Sequence, residues 1–372
     1  MTRSLPGAPV RNLRAVRAPI RLPPRLQSTA AAVGVKVIPR LPAGAQRLLA
    51  GGRSVIIDGN TLDPTLRLML AGQRTLGING LSVDDDPAKS RTRMRKLCRA
   101  FSGPQIHVGV SDVSIPGPAG DIAARHYRPA GPEPAPLLVF FHGGGWVIGD
   151  LDTHDAFCRL TCRDADIHVL AIDYRLAPEH PAPAGLDDAY AAFRWAQQHA
   201  AELGAIPGKV AVGGDSAGGN FAAVVSQLVR AEGGPAPVLQ WLIYPRTDFT
   251  AYTRSLTLFA DGFVLTKHDI DWFEAEYLGE SEIEPTDPRA SPLLADSLAG
   301  LPPALITVAG FDPLRDEGER YADALRAAGT DVDFRSMGSL THGFVNLFQL
   351  GGGSAVATTE LVSALRAHLS RV

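Results

Sequence analysis

The chain of 372 residues is longer than one typical domain, but this length suits a single α/β core that carries an additional covering segment. Hydrophobic residues make up 45% and charged residues 20% of the chain, which excludes a disordered or coiled-coil protein. The formal net charge of −3 gives no indication of nucleic-acid binding.

The N-terminal stretch, residues 1–55, is strongly basic. It holds ten Lys and Arg residues and no acidic residue, and the first acidic residue is Asp58. Such a stretch is either a solvated arm or a segment that contacts an anionic membrane surface. No run of 18 apolar residues and no apolar core of a signal peptide is present. We therefore expect a cytoplasmic protein, with peripheral membrane contact through the basic arm as the alternative.

Two regions interrupt the α/β rhythm of the chain. Residues 1–105 contain helical patches at 64–70 and 87–101, and residues 247–288 contain another at 266–277. Because such segments bury their apolar faces over a pocket, we interpret 1–105 as an N-terminal arm with cap helices and 247–288 as a cap insertion. A separate N-terminal domain is the alternative.

From residue 106 onward, short apolar runs alternate with helical stretches, which predicts an α/β sheet. The core is predicted in two parts, 106–246 and 289–372, and its first two strands form an antiparallel hairpin. Its fold class is therefore α/β, with a mostly parallel sheet of eight strands flanked by helices. The predicted strands are 106–115, 121–128, 137–141, 168–172, 210–213, 238–244, 304–309 and 331–337, and the predicted helices are 153–163, 185–199, 217–230, 315–328 and 354–369.

Residues 214–218 read Gly-Asp-Ser-Ala-Gly and fit the nucleophile pattern G-x-S-x-G. The motif directly follows one predicted strand and directly precedes a predicted helix, which is the context that this pattern requires. Glycines flank the serine because the turn is tight and leaves no room for side chains. The sequence therefore predicts Ser216 as a nucleophile.

A serine hydroxyl is a poor nucleophile unless a base removes its proton during attack. Of the ten histidines, His342 lies between the last predicted strand and the last helix, where the base is expected. The acid that orients the base should follow strand 304–309, where Asp312 is nearest to the end of the strand. Asp316 is the alternative, on the first turn of the next helix.

Residues 142–146 read His-Gly-Gly-Gly-Trp and follow a predicted strand, as does the oxyanion-hole loop of lipases and esterases. Glycines bring backbone N–H groups close to a developing oxyanion because no Cβ intervenes. The predicted donors are the N–H groups of Gly144, Gly145 and Ala217. We interpret His142 as an anchor of this loop.

These residues together resemble the hormone-sensitive-lipase-like family of esterases, over about residues 107–369. The motifs that carry the resemblance are His142-Gly-Gly-Gly-Trp146, Asp173-Tyr-Arg-Leu-Ala-Pro-Glu-His-Pro181, Gly214-Asp-Ser-Ala-Gly-Gly-Asn220, Asp312-Pro-Leu-Arg-Asp316 and His342-Gly-Phe344. The chain is similar to actinobacterial lipases and esterases of that family. The resemblance implies an eight-stranded sheet, a helical cap and no cofactor, and a preference for short to medium acyl chains.

The leading functional hypothesis is a carboxylesterase that hydrolyses short- to medium-chain carboxylic esters through a Ser-His-Asp triad and an acyl-enzyme. An interfacial lipase and a non-catalytic binding protein on a hydrolase scaffold are the alternatives. Four aromatic residues are candidates for the acyl pocket, with burial in the core as the competing interpretation: Trp146, Phe263, Phe273 and Phe344. No pair of His or Cys residues accompanies the three cysteines at the spacing of a metal site, so no metal is expected. The oligomeric state stays open, a dimer included.

Overall fold

The computed structural model describes residues 41–49, 51–131 and 133–372. Most of the predicted basic arm, residues 1–40, lies outside the described residues, and membrane contact through it stays a prediction. Within the described ranges no helix combines the length and the apolar character needed to cross a membrane.

An eight-stranded sheet and a separate two-stranded hairpin form the β-structure of the described residues. The strands are β1 (Ile56–Ile57), β2 (Asn60–Thr61), β3 (Gly109–Gly117), β4 (Gly120–Arg128), β5 (Ala135–Phe141), β6 (His168–Asp173), β7 (Ala205–Asp215), β8 (Gln240–Ile243), β9 (Ala304–Phe311) and β10 (Val332–Thr341). The order across the large sheet is β10-β9-β8-β7-β5-β6-β4-β3, and only the β3–β4 and β4–β6 pairs are antiparallel. The predicted fold class and the predicted antiparallel start of the sheet are confirmed.

Helices lie on both faces of this sheet and above the carboxyl ends of its parallel strands. They are α1 (Ala43–Leu49), α2 (Pro64–Thr75), α3 (Pro87–Phe101), α4 (Leu151–Ala165), α5 (Ala184–His199), α6 (Ala217–Ala231), α7 (Arg254–Leu258), α8 (Lys267–Leu278), α9 (Arg315–Ala327) and α10 (Gly352–Leu369). Short 3-10 helices span Pro292–Leu294 and Phe344–Leu350. Helix α3 begins with Asp86 as N-cap, whose carboxylate accepts a hydrogen bond from the Lys89 backbone N–H.

The central strands are apolar on both faces because helices cover both sides of the sheet. Every residue of β8 and β9 is buried, as is the second half of β5. The sequence underestimated β7, which extends from Ala205 to Asp215 rather than over 210–213. At the carboxyl end of β7, Asp215 pairs with Ile243 of β8 although its side chain is polar, so the apolar pattern did not mark it as part of the strand.

The predicted cap segments contact each other above the carboxyl ends of the parallel strands. The Asp269 carboxylate at the start of α8 accepts hydrogen bonds from the backbone N–H groups of Leu81 and Ser82, at 2.9 and 2.8 Å. Arg91 of α3 donates to the carbonyl oxygens of Val147 and Ala177 in the core, each at 2.8 Å. We call α2, α3 and α8 the cap. The division of the chain into cap and core parts stays a prediction.

Candidate active site

Ser216 lies at a sharp turn between β7 and α6. Its backbone has φ 55° and ψ −118°, a conformation that costs energy for a residue with a side chain. The Ser216 N–H donates to the Ile243 carbonyl at 2.8 Å, and the Ser216 carbonyl accepts from the Asn220 N–H at 3.0 Å. These bonds to the sheet and to the helix hold the strained turn, so the hydroxyl points out at the end of the sheet.

Two further side chains approach Ser216 from the loops after β9 and β10. His342 Nε2 lies 2.9 Å from Ser216 Oγ, and His342 Nδ1 lies 2.8 Å from Asp312 Oδ2. Asp312 is completely buried, and its other oxygen accepts from the Leu314 N–H at 2.8 Å. The carboxylate can therefore fix the orientation of the imidazole, which leaves Nε2 free to accept the serine proton.

Asp316, the alternative acid, has other partners in the structure. Its Oδ2 accepts from the Ser255 backbone N–H at 2.8 Å, and its Oδ1 accepts from Arg315 Nε at 2.9 Å. The structure brings Asp312 to His342 and uses Asp316 to join α9 to α7.

The glycine loop after β5 lies beside the serine turn. Gly144 has φ +130° and Gly145 has φ +59°, backbone angles that residues other than glycine rarely adopt. A Cβ on Gly145 would overlap the ring of Phe273 in the cap, and one on Gly144 would overlap the Ile148 carbonyl. Ala217 is the first residue of α6, so its N–H has no acceptor within the helix. All three N–H groups are therefore candidates to bind an oxyanion.

His142 anchors this loop, as the sequence analysis proposed. Its Nδ1 donates to the Gly143 carbonyl at 2.9 Å, and its ring stacks on Tyr174 with 4.3 Å between ring centroids. Burial lowers the pKa of His142 to about 4, and the neighbouring His154 adds to this shift. The ring is consequently neutral near pH 7, which suits a structural role.

A cavity of about 1080 Å³, open solvent at its mouth included, lies over Ser216 and His342. Trp146 and Phe273 line it, as predicted. Phe263 and Phe344 do not line it, which corrects their proposed position. Phe263 packs against Phe259 and Phe311, and Phe344 is fully buried against the ring of Tyr244. Both side chains belong to an apolar core cluster that also contains Tyr244 and Phe311, rather than to the cavity wall.

Sequence reasoning missed most of the cavity wall. The cap contributes apolar side chains whose helical spacing is equally typical of a core helix, so no sequence signal distinguishes them. Besides Phe273, the apolar cap residues that line the cavity are Met69, Met94, Leu97, Phe101 and Ile270, and Leu81 joins them from the segment between α2 and α3. The wall also contains Arg246, which is buried and pairs with Glu274 of the cap and Glu317 of α9.

Comparison with known proteins places this chain in a family. The model of a family described by its alpha/beta hydrolase fold matches residues 138–346, more than half of the chain. Carboxylic ester hydrolase LipN of Mycobacterium tuberculosis is 69% identical over 378 residues, covering 100% of both chains. The chain belongs to the hormone-sensitive-lipase-like family of α/β-hydrolase esterases. It is a carboxylic ester hydrolase.

Two further relatives agree with this assignment. Carboxylesterase NlhH of Mycobacterium tuberculosis is 41% identical over 315 residues, which cover 83% of this chain and 96% of that protein. The crystal structure of EstE1, a thermophilic and thermostable carboxylesterase from a metagenomic library, superimposes with a TM-score of 0.74 at 41% identity. That match covers 78% of this chain and 99% of EstE1.

Within the described residues no group of three or more His, Cys, Asp or Glu side chains could hold a metal ion.

Proposed function

We propose that this family member hydrolyses short- to medium-chain carboxylic esters through a Ser216–His342–Asp312 triad and an acyl-enzyme. The observation that carries the proposal is the continuous pair of hydrogen bonds, 2.9 and 2.8 Å long, that joins the three side chains at the floor of the cavity. Both His342 and Asp312 are buried, so water does not compete for these bonds.

In the acylation half-reaction, Ser216 Oγ attacks the ester carbonyl carbon and His342 Nε2 takes the hydroxyl proton. The carbonyl electrons move to oxygen, and the N–H groups of Gly144, Gly145 and Ala217 stabilise the resulting oxyanion. When the tetrahedral intermediate collapses, the bond to the alkoxy oxygen breaks and His342 gives its proton to the leaving alcohol. The acyl group stays on Ser216.

In the deacylation half-reaction, His342 removes a proton from a water molecule that attacks the acyl carbon. The second tetrahedral intermediate collapses, the acid leaves, and the proton returns to Ser216 Oγ. Asp312 remains ionised throughout, because its role is to hold the imidazole tautomer and to stabilise the imidazolium.

The cavity supports substrates of small-molecule size. Its walls are mainly apolar, with a few polar groups beside the nucleophile, as in most small-ligand sites. Aromatic side chains of Trp146 and Phe273 lie next to the glycine loop, where they can exclude water from an acyl chain.

The proposal is tested with p-nitrophenyl esters of two to sixteen acyl carbons and with the variant Ser216→Ala. We expect kcat/KM to be highest for short or medium chains, and the variant to lose at least about 10⁴-fold in kcat. A phosphonate inhibitor should attach to Ser216 in a mass-spectrometric map. Activity that persists in Ser216→Ala would contradict the triad, and a preference for emulsified long-chain acylglycerols would indicate an interfacial lipase instead.

A further inference from the structure

Asp215, the residue before the proposed nucleophile, carries a carboxylate for which the mechanism above has no use. It is only 3% exposed, and no Lys or Arg forms an ion pair with it among the described residues. Burying a carboxylate is costly unless hydrogen bonds or an opposite charge compensate it. A negative charge at this position also opposes the oxyanion that develops nearby, so its partners need an explanation.

The carboxylate accepts hydrogen bonds from three parts of the site. Gly143 N–H donates to Oδ1 at 2.8 Å, His154 Nε2 lies 3.2 Å from the same oxygen, and the Tyr244 hydroxyl donates to Oδ2 at 3.3 Å. Gly143 directly precedes the proposed oxyanion donors. The Tyr244 ring in turn packs on the His342 ring, with 4.5 Å between centroids.

His154 connects this carboxylate to the loop after β10. It lies on α4, is 1% exposed, and its Nδ1 is 2.9 Å from Thr153 Oγ1. The Asn346 side-chain amide, in the 3-10 helix after His342, lies 3.0 Å from His154 Nε2. His154 therefore contacts both the residue that precedes the nucleophile and the segment that follows the base.

Asp215 is ionised in this arrangement. Burial alone would raise its pKa, but the opposing effects of His154 and the Gly143 N–H are larger together and hold the pKa below its ordinary value. Because a carboxylate can only accept, the proton in the contact with His154 belongs to Nε2, which requires the Asn346 side-chain amide to face Nε2 with its acceptor oxygen.

We propose that Asp215 and His154 are a positioning pair that fixes the glycine loop and the His342 loop relative to Ser216. This inference rests on the proposed triad and oxyanion site. Both side chains border the cavity, but both are buried. The pair acts through the Gly143 N–H, the Tyr244 ring and Asn346, and the hydrogen bonds from Gly143 and His154 compensate the burial of the Asp215 carboxylate.

Steady-state kinetics on p-nitrophenyl butyrate tests the pair with the variants Asp215→Leu, Asp215→Asn, His154→Gln and the double variant Asp215→Asn/His154→Gln. Asp215→Leu removes the acceptor of the Gly143 N–H, so kcat should fall by about 10²-fold, the scale of one lost oxyanion donor. KM should change by less than about threefold, since a transition-state interaction is lost. Asp215→Asn keeps an acceptor oxygen and should recover part of the loss.

The double variant distinguishes a pair from two independent residues. In His154→Gln the Asp215 carboxylate stays buried without the imidazole N–H beside it, so this variant should lose more kcat than Asp215→Asn. Because Asp215→Asn removes that uncompensated charge, the double variant should lose no more kcat than His154→Gln alone. Additive losses would overturn the pairing.

His126→Gln is the matched control. His126 is also buried, 3% exposed, and its Nε2 contacts His168 Nδ1 at 2.9 Å between strands β4 and β6. We expect this control to keep kcat even where its melting temperature falls. A folded Asp215→Leu variant with kcat within threefold of the parent would overturn the inference. If Ser216→Ala abolishes activity in the same experiment, only the positioning role has failed and the proposed triad stands.

Discussion

The floor of the site and the cap above it are built in different ways. The site floor, which we define as Gly144, Gly145, Ser216, Asp312 and His342, lies at the ends of buried strands, and direct hydrogen bonds join its three triad side chains. The cap contributes mainly apolar side chains to the cavity and is attached by polar contacts of Asp269 and Arg91. The floor therefore fixes the chemistry, and the cap fixes the shape of the space available to the substrate.

The comparison also shows where the two regions meet. Phe273 of α8 packs directly on Gly145 of the site floor, and Arg246 joins Glu274 of the cap to Glu317 of the core. A change at the floor should affect kcat, whereas a change in the cap should mainly affect substrate preference and stability. Changes at the two meeting points should affect both properties.

The largest effect is expected from Asp312→Asn. An amide retains the shape of the side chain but favours the wrong imidazole tautomer, so kcat should fall by about 10⁴-fold. Asp316→Asn is the matched control, because Asp316 bonds to Ser255 and Arg315 rather than to His342. Initial rates on p-nitrophenyl butyrate check both variants. A greater loss in Asp316→Asn would show that the acid had been chosen wrongly.

A smaller effect is expected where the floor meets the cap, in Gly145→Ala. The added Cβ overlaps the Phe273 ring, and the positive φ of Gly145 disfavours any side chain. Displacement of the loop should lower kcat by about 10²-fold, because one oxyanion donor is misplaced.

The double variant Gly145→Ala/Phe273→Ala tests whether the contact with the cap is the cause. Removal of the ring gives the new methyl group space, so part of the lost kcat should return, while Phe273→Ala alone should change mainly KM. If the double variant is no faster than Gly145→Ala, the backbone conformation of Gly145 explains the loss and the cap has no part in it.

The smallest effect is expected at the second meeting point of floor and cap, the pair Arg246–Glu317. It is measured as the pH dependence of the free energy of unfolding. Burial raises the pKa of Glu317 to about 7, and the attraction of Arg246 only partly opposes this rise. The folded protein thus holds a proton that the unfolded chain releases near pH 4.5. The contribution of Glu317 to stability is complete below that pH and is lost as the pH rises through about 7.

Glu317→Gln should therefore flatten the pH dependence of the free energy of unfolding by about 1–2 kcal/mol between pH 5 and pH 7. Urea denaturation at several pH values measures this change. Glu319→Gln is the matched control, since Glu319 lies exposed on the same helix. An identical pH dependence in the parent and in Glu317→Gln would show that Glu317 does not titrate in this range.

The sequence predicted the fold well and pointed to the candidate site floor, because both leave local signals. Each strand of the large sheet overlaps a predicted apolar run, and the glycine patterns around Ser216 and Gly144 reflect backbone conformations that other residues disfavour. The boundaries were less accurate. Strand β10 extends to Thr341, with an irregularity after Met337, so His342 follows the strand directly.

By itself, the sequence determined that this protein is an α/β-hydrolase esterase with Ser216 and His342 as the candidate nucleophile and base. Only the tertiary structure placed Asp312 rather than Asp316 beside His342, put Phe273 but not Phe263 or Phe344 at the cavity, and brought Asp215 next to His154. The physical reason is that motifs record constraints on the backbone within a few residues. The side chains that meet across a cavity come from segments that are far apart in the chain, and no local pattern encodes their packing. Within the triad itself, Ser216 and His342 are 126 residues apart.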